Sequence, residues 1–179
     1  MPRHGDPDTI GLTSQFSGLS LSARTRPTIR SPQQYTLSAE DNERLGQGYI
    51  RLKNNPEQSQ KIADELLVSH SNTCRDYIRI VDLKARACLA LGRYDVCLTV
   101  LNPIDLTNKK GLLLTKGRAL QGLGNMNGAF ELFKTLYDHH STNDKDQKSH
   151  GLALGRQYQD MGQHAPALAI FLNLRKGRS

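Results

Sequence analysis

Residues 112–133 read LLLTKGRALQGLGNMNGAFELF, and the architecture of the chain can be inferred from them. Apolar side chains recur at helical spacing up to Leu123-Gly124, and a second helical run begins at Met126. A leucine-glycine pair between two such runs predicts two helices joined by a tight turn, because glycine takes backbone angles that other residues avoid. The same pair stands at Leu91-Gly92, and Met161-Gly162 occupies its place later in the chain, so the three turn glycines are 32 and then 38 residues apart. Seven residues before each glycine stand Ala85, Gly117 and Gly155, and four before stand Cys88, Leu120 and Tyr158. Two after it come Tyr94, Met126 and His164, five after come Cys97, Ala129 and Ala167, and nine after come Leu101, Phe133 and Phe171. Three units obey one template, the mark of a repeat architecture.

A small residue where two helices cross lets their backbones approach, and a large one nearby fills the space beside it. A more degenerate unit lies upstream, with Leu45, Gly46, Tyr49 and Leu52 on a first helix and Ser59, Ala63 and Leu66 on a second. The pattern resembles the tetratricopeptide repeat family, carried by Leu45-Gly46-x2-Tyr49, Leu154-Gly155-x2-Tyr158, Ala129-x3-Phe133 and Ala167-x3-Phe171. The resemblance spans about residues 38–175. It departs from the family in having no tryptophan, an uneven period and a closing proline only at Pro103. It implies an all-α fold, in which helix-turn-helix units of about 38–70, 76–105, 108–140 and 146–176 stack as a short right-handed α-solenoid.

At the start of the first unit, Ser38 followed by Glu40 and Asp41 reads as a helix N-cap with acids at the positive helix end. Upstream of it, residues 1–37 are rich in Ser, Thr, Arg, Gly and Pro without a sustained period, so a disordered N-terminal tail is expected before a repeat domain of 38–179. The tail carries four Arg and two Asp, net +2, which leaves +5 of the total +7 on the remaining 142 residues. The repeat region is therefore basic in its own right, suited to acidic partners. Mean hydropathy is −0.55, normal for units that touch only their neighbours.

Cys74, Cys88 and Cys97 are odd in number and form no C-x-x-C pair, which argues for a reducing compartment over a disulfide framework or zinc site. Cys88 and Cys97 fall on small-residue packing positions and are expected in the core. His164 stands where other units place a packing side chain and is expected to pack as well. His139-His140 reads as a solvated helix end, without a third metal ligand at helical spacing. No apolar run reaches the length of a membrane span, so no membrane insertion is expected. The glycines around residues 122–128 come after a helix instead of a strand and lack dinucleotide-loop spacing; no P-loop, H-E-x-x-H or G-x-S-x-G motif occurs, and neither an enzyme activity nor a cofactor is expected.

Six residues before the turn glycines stand Arg86, Arg118 and Arg156, one basic residue recurring at one structural position. In the family that this chain resembles, such a position on the first helix points into the concave groove, so the three guanidinium groups would form a ladder for carboxylates or phosphates. Asp82, Leu114 and Leu152 lie four residues before them, and Leu89, Gln121 and Gln159 three residues after, making a mixed apolar and basic surface. The bland alternative is a solvated helix face with arginines paired to Asp82 or Asp160 and leucines packed between repeats. Gln47 and Glu43 occupy the first unit, so the clamp by which some family members hold acidic chaperone C-termini is not expected.

The resulting expectation is a protein-protein interaction module, adaptor or chaperone-like, that binds an acidic or amphipathic partner segment in the cytoplasm. An alternative is a secreted bacterial effector with the tail as export leader. A second is a nucleic-acid-binding repeat, which the charge allows but the absence of interleaved aromatics disfavours. The chain stops at Ser179 without a polar capping helix, so the expectation is either that a partner, or a second copy in a homodimer, covers the uncapped C-terminal end or that the sequence is cut there.

Overall fold

The computed structural model describes residues 34–138 and 144–176. Its helices are α1 (Ala39–Arg51), α2 (Pro56–Ser69), α3 (Tyr77–Ala90), α4 (Tyr94–Leu101), α5 (Lys110–Gly122), α6 (Met126–Asp138), α7 (Asp144–Asp160) and α8 (His164–Lys176). No strand occurs among the described residues. Each helix packs on the next in sequence, and α1, α3 and α5 also touch in succession, so the pairs stack as an α-solenoid. Residues 1–33, where the tail was expected, and His139-His140 lie outside the described residues.

The aligned turns share one backbone geometry. Gly92, Gly124 and Gly162 have φ of 72°, 77° and 74°, the left-handed region that favours glycine. After each glycine the backbone N–H of Arg93, Asn125 and Gln163 donates to the carbonyl of Cys88, Leu120 and Tyr158 at 2.9, 2.9 and 2.8 Å. The glycine N–H itself reaches Leu89, Gln121 and Gln159, completing a Schellman motif three times. The motif satisfies carbonyls that a helix end would otherwise leave unpaired.

The small-to-large pairing is also physical. A Cβ on Gly117 would overlap the Phe133 ring, and one on Gly155 would overlap Phe171, so each glycine lets the second helix lie against the first. Cys88, Cys97 and Leu101 are fully buried with Ala85 and Val81 in one cluster, as the repeat positions predict. Burial pushes the Cys97 thiol up to about 12 and raises Cys88 as well, which leaves both as un-ionised packing groups.

The first unit departs from the template. A Cβ on Gly46 would meet nothing within 4 Å, whereas one on Gly48 would overlap Leu83 of α3. The close approach thus falls at Gly48, between successive first helices, and the Ser59 hydroxyl donates to the Gly48 carbonyl at 2.9 Å. Its turn is longer, with Asn55 capping α2 by accepting from the Gln58 N–H and Pro56 in the first turn. Ser38 caps α1 by accepting from the Asp41 N–H at 3.1 Å, as the sequence predicts.

Composition groups residues 34–37 with the tail, yet they make specific contacts. The Tyr35 carbonyl accepts from the Arg75 N–H at 2.8 Å in an isolated bridge with Cys74, and the Leu37 N–H donates to Asp76 at 3.3 Å. Leu37 also packs on the α1–α3 core.

His164 is exposed, contrary to its expected packing. Its two counterparts each meet a later first helix. Tyr94 lies over Gly122 of α5, and Met126 receives the Gln157 amide of α7 on its carbonyl at 3.0 Å, whereas no first helix comes after α8 among the described residues.

Candidate functional site

The first helices α3, α5 and α7 carry Arg86, Arg118 and Arg156 at one register position, and the stacking brings them along one face. Two cavities open there. One, of about 540 Å³, is lined by Arg118 and Arg156 with Leu89, Gln121 and Leu152, all named from sequence. The other, of about 310 Å³, is lined by Arg86, Leu89, Leu114 and Arg118. Arg118 and Leu89 belong to both and join them. The Arg86 guanidinium reaches α5, where a Cβ on Gly111 would stand in ordinary contact with it at 3.6 Å.

The three arginines are not equivalent. The Arg86 Nε donates to Asp82 at 2.8 Å, and the other Asp82 oxygen accepts from the Tyr49 hydroxyl at 2.8 Å. Burial and the Asp82 charge together push the Tyr49 phenol well above its usual range, so it stays a neutral donor to that carboxylate. Arg118 and Arg156 have no carboxylate partner among the described residues. Loss of solvent lowers the Arg118 pKa from its ordinary value, and the like charges of Arg156 and Arg86 lower it further. A guanidinium so far above neutrality keeps its charge; crowding raises its attraction for an anion instead.

Of the remaining candidates, Gln121 donates to Asp160 at 2.6 Å, so Asp160 pairs with that amide. Asp82 lines neither cavity and acts through Arg86. Gln159 is exposed and lines neither, because it sits at the turn end of α7, where its carbonyl receives the Gly162 N–H. Among the lining residues that were not legible as site residues are Tyr94 of α4 and Phe133 of α6, the aromatic residues of the larger cavity. The signal for Tyr94 is Gly122, a glycine that clears room for its ring from the next helix.

A second surface lies on α8. Leu168 and Leu172 are exposed one turn apart, beside a cavity of about 350 Å³ lined by Lys148, Leu152, Phe171, Leu174 and Arg175. Among the described residues no group of three or more His, Cys, Asp or Glu is placed to hold a metal, and no helix is long and apolar enough to cross a membrane.

No family model matches the chain, and no curated protein matches it. Among solved structures it is similar to MamA of MSR-1, at 18% identity and TM-score 0.55 over 78% of this chain and 79% of that one. It is similar too to MamA of AMB-1, at 18% identity and TM-score 0.55 over 79% and 78%. MamA is a tetratricopeptide-like helical-repeat protein, and at this identity the likeness speaks for the fold: the chain is an all-α helical-repeat solenoid.

Proposed function

We propose that the protein is a non-enzymatic binding module, an adaptor or chaperone-like scaffold, that takes an acidic or amphipathic segment of a partner protein along the α3–α5–α7 face. The observation that carries this reading is that Arg118 and Arg156 line one cavity and neither has a carboxylate partner among the described residues. Charged groups left open over an apolar floor are what an extended peptide needs for both orientation and anchoring. Helical-repeat stacks serve such binding through one continuous face. Three free, buried cysteines fit a reducing compartment such as the cytoplasm. The exposed α8 leucines add a place for a second copy to pack end to end.

The test is capture by the full chain from its native lysate with nuclease present, wild type beside a variant with Arg86, Arg118 and Arg156 all changed to Glu. A protein retained by wild type alone supports the reading. Identical capture by both removes the arginines from binding, and a partner lost on nuclease treatment with steep salt dependence makes the face a nucleic-acid surface. Arg118→Glu alone should weaken the partner at least about tenfold at unchanged helicity, given the worth of one charge-assisted hydrogen bond.

A further inference from the structure

The first helices repeat one local pair whose chemistry changes along the chain. The recurring position holds Gln47, Arg86, Arg118 and Arg156, and four residues earlier stand Glu43, Asp82, Leu114 and Leu152. Residues four apart are neighbours on a helix face. In α1 the Gln47 amide donates to Glu43 at 3.3 Å, and in α3 the Arg86 Nε donates to Asp82 at 2.8 Å. In α5 and α7 a leucine replaces the acid. The chain therefore answers its own polar groups in the first two units and leaves the cations of the last two open.

Asp82 shows what the open arginines lack: one carboxylate within hydrogen-bond reach of the guanidinium. The leucines that replace the acid line the cavities beside those same arginines, Leu114 at the smaller and Leu152 at the larger, and Leu152 is 44% exposed. The larger cavity adds the half-buried Tyr94 and Leu89, with the buried Phe133 behind them. A bare anion would satisfy the guanidinium groups and leave that apolar floor wet; an apolar group alone would leave the charges unanswered.

We propose that the site recognises an acidic residue adjacent to a large apolar side chain in a partner peptide, the carboxylate held by Arg118 and Arg156 and the apolar group in the Tyr94–Phe133 cavity. Asp82 sets the specificity by closing Arg86 to the ligand, which confines recognition to the last two units. This rests on the partner-binding reading above and narrows it to a ligand class.

The experiment tracks the side-chain Nε–H resonances of the three arginines in the full chain by NMR while four probes are titrated separately: 3-phenylpropionate, acetate, 3-phenylpropionamide and inorganic phosphate. The expected result is that 3-phenylpropionate shifts Arg118 and Arg156, leaves Arg86 unmoved, and binds at least about tenfold more tightly than acetate or the amide. In Asp82→Asn, Arg86 should join the responding set. Leu152→Asp gives Arg156 an internal carboxylate four residues away and should silence Arg156; being at an exposed position, it keeps the test open if Asp82→Asn does not fold. Arg86 responding in wild type, acetate matching 3-phenylpropionate, or phosphate binding more tightly than either would overturn the proposal. If 3-phenylpropionate fails while arginine-dependent capture of a partner persists, the ligand rule falls and the binding face stands. Capture indifferent to the arginines removes the face and the rule together.

Discussion

The first two helix pairs, α1–α4, and the last two, α5–α8, share a repeat geometry and differ in what answers their polar groups. In the first half, Arg44 pairs with Asp41 and Glu65, Arg79 with Asp76, Lys84 with Asp64 and Arg86 with Asp82. Lys84 and Asp64 tie α3 to α2 at 2.8 Å. In the second half Arg118 and Arg156 stand open, and close backbone approach at Gly117 and Gly155 carries the packing. At this register position one scaffold thus separates two tasks: Arg86 is used internally, and Arg118 and Arg156 keep their cations available. A position's role in a repeat protein depends on the residue four places before it as much as on the position itself.

The contrast between the halves is most exposed to failure in the second. Phe133 is 1% exposed and fills the space that Gly117 clears, so Phe133→Ala should cost about 3–5 kcal/mol, read from thermal or urea unfolding. An outcome under about 1 kcal/mol would mean that the glycine-aromatic contact does not hold this half together.

The two halves should respond oppositely to one chemical change at equivalent glycines. Gly117→Ala forces a methyl group into the Phe133 ring and should destabilise by about 1–3 kcal/mol. Gly46→Ala meets nothing within 4 Å in the middle of α1 and should stabilise by about 0.5–1 kcal/mol through the lower entropy of its unfolded chain. Equal signs in denaturant melts would erase the distinction between the first unit and the template.

Ser38→Ala removes the side chain that accepts from the Asp41 N–H and should cost about 1 kcal/mol, with the loss centred on α1 in amide exchange. A smaller effect is expected from acid. The Ser38 hydroxyl, with His70 and Arg44, holds Asp41 below its ordinary 3.8, and Arg79 with the Leu37 N–H does the same for Asp76. The stability from these depressed carboxyls is complete above the ordinary value and drains away as pH falls through their lower folded values. Acid unfolding of Asp41→Asn with Asp76→Asn should therefore be flatter below about pH 4 than that of wild type.

The turns were legible because glycine at a helix end has one common physical use, and three glycines in register shared it. The arginine positions were legible for the same reason, by recurrence. Gly46 misled because sequence marks the presence of a glycine and not its neighbour; the long first turn moved the close approach to Gly48. Tyr35 and Leu37 were hidden by composition, since their partners, Arg75 and Asp76, lie about forty residues away. The aromatic residues of the larger cavity escaped notice because Tyr94 and Phe133 come from second helices and meet the arginines only through stacking. The Asp82 partner of Arg86 was visible at four-residue spacing, but which arginines lacked one became clear only with Asp160 placed on Gln121.

Because each helix touches mainly its neighbours in sequence, the molecule resists opening in series, as a stack does and a single globule does not. An end can come away while the middle stays closed. Helix α8, which touches α7 and leaves Leu168 and Leu172 in solvent, is where opening should begin. Its exchange lifetimes should then be the shortest of the repeat helices and lengthen stepwise toward α3 and α4, a gradient that a bound partner on α7 would flatten.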